Sequence, residues 1–282
     1  MTDSKTPPTL GVALTVAELE DNLDLVRDHE RDVELQDFGP PDGITGDWRP
    51  AADKAVALLQ GHEGRLGIHG PFWGFSLSTT DPDVSAIVKR RLDQALDITE
   101  HLGGTHVVVH SPVGIWDCHQ FPVQPRDFQR KMEAFQANVS DAVTRAASLG
   151  CQLVLENIED IDPYVRFGLI AALDPKGIAL SIDTGHASYV HKMHRAPPVD
   201  AFVHAAGPRL GHMHLHDNDG NADRHWCPGT GTIAWHAVFD ALHQSTSIDT
   251  DEPDRPRLLL ELRNKRLLRP AIDYFTGRGL AV

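Results

Sequence analysis

Short apolar segments alternate with longer amphipathic segments along the whole chain of 282 residues. Eight apolar segments can be counted: 9–15, 33–38, 65–72, 106–112, 152–159, 178–186, 210–217 and 257–263. Between them, apolar residues recur at three- and four-residue spacing, most clearly in 84–102 and 126–149, and Gly103 and Gly150 are placed as helix stops. This alternation of strands and helices is typical of βα units around a parallel sheet.

The count of eight strands and the length of 282 residues predict an α/β fold, a closed (β/α)₈ TIM barrel, as one domain over residues 1–282. A doubly wound open sheet is the alternative, but no GxGxxG or P-loop pattern follows the first strand. No apolar run approaches the roughly 18 residues of a membrane span. The first 13 residues lack the pattern of a secretory signal, so we expect a soluble, cytoplasmic protein.

Most apolar segments turn polar at their last residues, which in this fold is the end that builds the active site. The His, Asp and Glu residues at these ends and in the following loops are His69, His110, Glu156, Asp183, His186, His214, Asp223, His225 and Glu261. Because side chains alternate in direction along a strand, one inward register accommodates those that end strands. We therefore expect a bowl of imidazoles and carboxylates at one end of the barrel.

Such a cluster would carry a large desolvation and repulsion penalty unless cations neutralised it. A lone buried histidine is more often a hydrogen-bonded core residue than a ligand, so the prediction depends on the whole set. Mixed imidazole and carboxylate ligands without thiolates suit Zn²⁺, Mn²⁺ or Fe²⁺. The sequence therefore predicts divalent metal ions as cofactors and does not choose among these three.

Seven motifs carry a family resemblance, and they are IHGPFWGFSLS (68–78), VVVHSP (107–112), LVLENIED (153–160), SIDTGHA (181–187), MHLHDND (213–219), DRHWCPGTGTIAW (223–235) and LLLEL (258–262). In this order, over residues 9 to 277, the sequence resembles the endonuclease IV and sugar-phosphate isomerase/epimerase superfamily. Its members are also called xylose isomerase-like barrels or AP endonuclease family 2.

The resemblance implies a core metal site of four residues: Glu156, Asp183, His214 and Glu261. Five further residues match the ligands with which endonuclease IV-like members complete a three-metal cluster: His69, His110, His186, Asp223 and His225. By this resemblance, Glu156 would bridge two metals, with His69 and His110 on one side and the rest of the core set on the other. The remaining three residues would bind the third metal, so two to three ions per chain are expected.

The sequence departs from the DNA-repair members at two motifs. The stretch HDNDGNADRH (216–225) lacks their usual Lys and Gly-Ser pair, and DTGH (183–186) stands where DTCH is usual. A formal net charge of −14 also argues against broad contact with a phosphate backbone. DNA is therefore disfavoured as a partner, and a small phosphorylated or sugar-like substrate is expected.

Residues beside the candidate ligands are predicted substrate contacts: Phe72, Trp73, His216, Arg224 and Arg263. The two aromatic residues follow the third strand and either roof a substrate pocket or only pack. His216 lies behind a ligand or contacts substrate, whereas His212, deeper in the barrel, is predicted to be a core histidine. The two arginines could bind a phosphate or hydroxyl group.

Two chemistries fit this ligand set. A phosphoester hydrolase acting on a small sugar-like substrate uses all nine ligands, with Glu156 bridging metals and Glu261 holding the nucleophilic water. The alternative is a sugar or sugar-phosphate isomerase/epimerase with one metal, in which these two glutamates move protons and the five additional ligands are partly idle. The sequence alone therefore favours the hydrolase. An abasic-site endonuclease and a non-catalytic metal-binding module are the remaining hypotheses.

Overall fold

A computed structural model describes residues 7–245 and 255–282 of the chain. Its strands are β1 (Gly11–Leu14), β2 (Val33–Leu35), β3 (Leu66–His69), β4 (His106–His110), β5 (Gln152–Glu156), β6 (Ile178–Asp183), β7 (Leu210–Leu215) and β8 (Arg257–Leu260). They pair in parallel in sequence order, and β8 pairs with β1 to close the barrel. The predicted (β/α)₈ barrel is confirmed.

The α-helices in the described residues are α1 (Val16–Asp21), α2 (Leu23–Arg27), α3 (Pro41–Thr45), α4 (Arg49–Leu58), α5 (Pro82–Leu102), α6 (Ile115–Gln120), α7 (Pro125–Leu149), α8 (Val165–Ile170), α9 (Thr184–His194), α10 (Val199–Ala206), α11 (Trp235–Ser245) and α12 (Leu268–Thr276). The side chain of Asp81 accepts the first free N–H groups of α5. Gly103 and Gly150 end α5 and α7 with φ of 65° and 72°, a left-handed conformation that glycine adopts without strain. Both helix predictions are confirmed to within two residues.

Two apolar layers hold the barrel together. The larger lies between the sheet and the surrounding helices. A small separate cluster of Val108, Val154 and Ala179 fills the barrel interior. Because these three side chains point inward, the residues two positions further along each strand point inward as well. The predicted inward register of β4 and β5 is therefore confirmed.

Strand register sets candidate ligands side by side at the carboxyl end of the barrel. His110 on β4 lies opposite Glu156 on β5, and Asp183 on β6 lies opposite His214 on β7. The strands are shorter than the predicted apolar segments because the chain leaves the sheet once these polar residues are reached. Among the described helices, none combines the length and apolar character needed to cross a membrane. The charges of the stretch 249–256 predict a solvated loop, and its residues up to 254 lie outside the described part of the chain.

Candidate metal centre

His69, His110 and Glu156, which end β3, β4 and β5, form one side of the centre. The Nε2 atoms of the two histidines are 3.4 Å apart, and Nε2 of His110 is 3.2 Å from Oε2 of Glu156. Nδ1 of His69 lies 2.9 Å from the Gly70 carbonyl, which can only accept, so Nδ1 carries a proton. In the tautomer that carries its only proton on Nδ1, the Nε2 lone pair of His69 faces the cluster, as a metal ligand requires.

The core of the centre is formed by the four residues that the family resemblance implies: Glu156, Asp183, His214 and Glu261. Nδ1 of His214 lies 2.7 Å from Oε1 of Glu156, 3.3 Å from Oε2 of Glu261 and 3.9 Å from Oδ2 of Asp183. All four side chains are at most 12% exposed. Gln36, which directly follows β2, donates to Oε1 of Glu261 at 2.7 Å and fixes that carboxylate. The core set therefore offers one nitrogen and three carboxylates to a shared point.

His186, Asp223 and His225 form the other side. Nδ1 of His186 donates to the Asn157 carbonyl at 2.9 Å, and Nδ1 of His225 donates to the Glu261 carbonyl at 3.0 Å. Both Nε2 atoms then face Oδ2 of Asp223, at 3.7 and 2.8 Å. His225 adopts a left-handed φ of 51°, a conformation that is strained for a residue with a side chain and that clusters at functional sites.

Asp183 is held in place from several directions. Its Oδ1 accepts from the backbone N–H of His186 at 2.7 Å and caps α9, while its Oδ2 lies 2.9 Å from Nε2 of His216. Asn157 pairs with the backbone N–H of Asp183 at 2.8 Å, a contact that the sequence prediction did not include. His216 is fully buried and stacks on His225 at 4.1 Å between ring centroids. The sequence left two alternatives for His216, a position behind a metal ligand or a contact with substrate. Its contact with Asp183 favours the position behind this candidate ligand.

In the metal-free chain, protons occupy positions that metal ions would take. Burial disfavours the charged form of His225, but the hydrogen bond with Asp223 and the charge of Glu261 outweigh it and raise its pKa to about 9. Burial opposes protonation of His214 in the same way, and the charges of Glu261 and Glu34 raise its pKa well above the ordinary range. These histidines are imidazolium ions held between carboxylates at neutral pH.

Other members of the centre stay in the form that binds cations. Burial alone would raise the pKa of Glu156, but the charge of His214 lowers it to about 2, so the carboxylate is ionised. Burial lowers the pKa of His110 to about 3, which keeps this imidazole neutral. Ionised carboxylates, neutral imidazoles and lone pairs that face one another fit divalent metal ions. The buried clusters of His, Glu and Asp are of the kind that binds such ions.

Metal binding is expected to release protons and to strengthen as the pH rises from 6 to 9, because a metal must displace the protons on His214 and His225. Calorimetric titration of Zn²⁺ or Mn²⁺ into the metal-free protein, in buffers of different ionisation enthalpy, measures the number released. The His225→Ala variant should release fewer protons at pH 8. A proton count of zero and an affinity independent of pH would contradict this assignment.

Glu34 on β2 is a buried residue of the site that the sequence prediction missed. Its carboxylate is fully buried and lies 3.3 Å from Nε2 of His106, 3.1 Å from Nε2 of His212 and 3.0 Å from Nε2 of His214. A Cβ on Gly67 would overlap the His106 ring, so only glycine leaves room for this cluster. Alternation along the strand puts Glu34 on the same inward face as Gln36, but the histidine partners of Glu34 lie on β4 and β7 and are not evident from the sequence.

Hydrogen bonds, not a metal, account for the cluster of Glu34, His106 and His212. A metal on Nε2 of His106 would leave the proton on Nδ1, and that buried atom has no hydrogen-bond partner. With the proton on Nε2, His106 donates to Glu34, and the unpartnered Nδ1 atom of His106 carries no proton. Glu34 likewise takes the Nε2–H of His214, which turns Nδ1 towards the metal centre.

Replacing Glu34 by Gln is expected to weaken metal binding by about 10- to 100-fold, because an amide cannot accept from all three imidazoles and no longer orients His214. Competition with a chromogenic chelator measures the affinity. Glu133→Gln changes an exposed glutamate on α7 and serves as the matched control. Equal affinities of both variants would show that Glu34 does not position His214.

The other predicted substrate contacts lie around the mouth of the centre. Phe72 stacks on the His110 ring at 4.2 Å, and Trp73 beside it is 58% exposed. Arg224 and Arg263 line a cavity of about 620 Å³ together with His225. Arg224 already pairs with Asp219 at 3.3 Å, so any anion there would compete with a carboxylate.

The sequence matches the xylose isomerase-like TIM barrel family over residues 27–265. The chain belongs to this family. The resemblance noted from the motifs is therefore confirmed. The uncharacterised protein MJ1614 of Methanocaldococcus jannaschii is a relative by sequence. The two sequences are 21% identical over 251 residues, which make up 88% of this chain and 88% of MJ1614.

Solved structures of similar proteins cover nearly the whole barrel. A D-tagatose 3-epimerase-like protein is 20% identical with a TM-score of 0.72, and 96% of this chain and 99% of that chain are covered. The D-psicose 3-epimerase of Clostridium cellulolyticum H10, studied with D-tagatose, is 17% identical with a TM-score of 0.69 and coverage of 97% and 100%. The TTHB071 protein of Thermus thermophilus, soaked with zinc chloride, is 22% identical with a TM-score of 0.66 and coverage of 95% and 96%. At these identities the likeness concerns the fold alone.

Proposed function

We propose that this xylose isomerase-like barrel is a metal-dependent isomerase or epimerase of a sugar-like substrate. The observation that carries the proposal is the convergence of Glu156 and Glu261 within 3.3 Å of one imidazole nitrogen of His214. Two carboxylates at the same point can take a proton from a carbon and return it. The proposal is supported by the sugar 3-epimerases among the proteins of similar fold.

The chemistry divides between the metal and the chain. A bound divalent ion would polarise a carbonyl and the neighbouring hydroxyl, which would acidify the C–H bond of the carbon that bears this hydroxyl. Asp183 and His214 would hold that ion. Glu156 is ionised at neutral pH and buried, so it can accept the proton, and Glu261 would return a proton taken from solvent to the same or the neighbouring carbon. The proton on Glu156 would then pass to solvent, which restores both carboxylates. Gln36 keeps Glu261 oriented for this transfer.

A substrate panel tests the proposal. Metal-loaded protein is incubated with aldoses and ketoses, with and without a phosphate group, and separately with phosphomonoesters and phosphodiesters. Interconversion of aldose and ketose, or of two epimers, is the expected result. Release of phosphate from the esters, with every sugar left unchanged, would contradict the proposal and favour a phosphoester hydrolase.

The second candidate is the phosphoester hydrolase that the sequence alone favours. It is favoured by the five additional donors, since His69 and His110 flank Glu156 while His186 and His225 face Asp223. Two or three metals could be held by this complete set, and hydrolysis would use them to make a hydroxide and stabilise the leaving oxygen. Sugar epimerases predominate among the proteins of similar fold, and this favours an isomerase or epimerase over the hydrolase.

The His225→Ala variant separates the two candidates. An isomerase that needs only the core set is expected to keep most of its kcat, because Gln36 still fixes the Glu261 carboxylate when the His225 ring, which lies 3.6 Å from Oε2 of Glu261, is removed. A hydrolase that needs the third metal would lose nearly all of its kcat. Steady-state rates, with metal content measured on the same samples, distinguish these results.

A further inference from the structure

A cavity of about 270 Å³ opens directly beside the candidate metal centre. It is walled by the loops that follow β3, β4 and β5, and it shares His110 and Phe72 with the centre. Its other side chains are mainly apolar, among them Phe75, Val113 and Ile158. Any group bound here would therefore extend from a substrate whose reacting end lies at the metals.

The polar groups in the wall of this cavity are already bonded to the protein. Oγ of Ser111 donates to Asp160 at 2.8 Å, and the carboxylate of Glu159 accepts from the backbone N–H of Ile115 at 3.2 Å. Oγ of Ser76 lies 3.2 Å from that of Ser78. Because each of these groups has a partner within the loops and apolar side chains outnumber polar ones in the wall, the cavity offers more apolar than polar surface to a ligand.

The charge of the cavity is unsuited to a phosphate. None of the described residues that line it is a lysine or an arginine, and Glu159 contributes a negative charge. Lys131 lies behind the β4 loop, where its Nζ donates to the Pro112 carbonyl at 2.9 Å and to Asp117 at 2.6 Å. Phosphate sites are normally built from Arg, Lys or free backbone N–H groups.

The same three loops carry exposed aromatic side chains. Trp73 follows β3, Trp116 follows β4 and Tyr164 follows β5, and these side chains are 58%, 75% and 63% exposed. Each loop thus adds apolar surface outside the cavity as well as inside it. Of these, Trp73 adjoins the cavity, since its ring lies 5.0 Å from that of Phe72, and exposed apolar surface beside a cavity at a candidate active site is typical of a ligand-binding groove.

We propose that this cavity is a subsite for an apolar substituent, such as an aromatic ring, on the far end of a carbonyl-bearing sugar. The inference deepens the proposed isomerase or epimerase function and rests on it for the position of the reacting end. A cavity of about 150 Å³ is enough to bind benzene in a protein interior, so 270 Å³ accommodates a benzyl group. The substrate is accordingly a sugar with an apolar end and not a sugar phosphate.

Three ketoses that differ only at C6 test the subsite: D-fructose, D-fructose 6-phosphate and 6-O-benzyl-D-fructose. The same three forms of D-psicose and of D-tagatose make two further series. Calorimetry on the metal-loaded protein is expected to give about tenfold tighter binding of the benzyl ether than of the parent ketose in at least one series. Equal affinities for all three, or tightest binding of the phosphate, would overturn the subsite.

Variants of the cavity wall give a second test. Ile158→Asp adds a charge and Phe75→Ala removes a ring, so each is expected to abolish the advantage of the benzyl ether, with thermal melting as the check on folding. Met193→Ala changes a half-exposed apolar residue on α9 outside the cavity and is expected to keep the advantage. An advantage that persists in both cavity variants would overturn the proposal.

Binding of benzyl alcohol, followed by tryptophan fluorescence and calorimetry, keeps the subsite separate from the catalytic proposal. Benzyl alcohol is expected to bind the parent protein more tightly than Ile158→Asp even if no ketose is converted, a result in which only the proposed reaction fails. Conversion of ketoses without any benzyl preference, and without loss of benzyl alcohol binding in the variant, would reject the subsite and leave the reaction standing.

Discussion

Replacing Glu156 by Gln is expected to lower kcat by about 10³-fold or more, in the range of lost general acid–base catalysis. The carboxylate is 1% exposed and contacts both His214, at 2.7 Å, and His110, at 3.2 Å. An amide of the same shape accepts no proton and presents an N–H group to one of these imidazoles. Steady-state rates on a converted sugar, with metal content on the same sample, measure the loss.

The control for Glu156→Gln is Glu133→Gln on α7, where an exposed glutamate contacts only the neighbouring Gln129 among the side chains described. Its kcat is expected to equal that of the parent protein. If Glu156→Gln binds its full complement of metal and still turns over at the parent rate, Glu156 has no part in proton transfer, and the proposed chemistry is wrong.

Removing the metal with a chelator is expected to abolish turnover and to lower Tm by on the order of 5 °C or more relative to protein with excess metal. The physical reason is the crowding of Glu156, Asp183 and Glu261 around His214, a cluster of negative charge that protons neutralise less well than divalent ions. Activity and Tm should both return on addition of Mn²⁺, Zn²⁺ or Fe²⁺.

The Asp183→Asn variant is the matched control for metal removal. It should show a smaller rise in Tm on metal addition than the parent protein, because one carboxylate ligand of the metal is lost. The amide oxygen of the new side chain can still accept from the backbone N–H of His186. Full activity of the chelated parent protein, with no metal found by elemental analysis, would contradict a metal-dependent reaction.

The barrel and the ends of its strands could be predicted because the period of side-chain direction in a strand is fixed. His110 and Glu156 each follow an inward valine by two residues, and both lie at the metal centre as that period requires. The candidate ligands on the loops also converge. Asp223 and His225 are close to His186, although only a family resemblance, and no periodicity, placed them there.

Other features could not be read from the sequence because they depend on contacts between distant segments. Glu34 and His212 are 178 positions apart, and only barrel closure brings the two together. The strand segment that contains Glu34 looks ordinary until its partners across the barrel are known. The apolar cavity likewise depends on the conformations of three loops. Side-chain packing determines these conformations, and the pattern of apolar and polar residues does not predict them.

Hydrogen exchange in heavy water is the most direct test of the proposed proton transfer by Glu156. Metal-loaded protein is incubated with each converted sugar in D₂O, and the products are followed by NMR. Proton transfer by Glu156 predicts a new epimer, or a ketose–aldose pair, with deuterium on the carbon next to the carbonyl, and loss of both signals in Glu156→Gln. Phosphate release from a phosphoester by the same metal-loaded protein, with no sugar gaining deuterium or changing configuration, would contradict it.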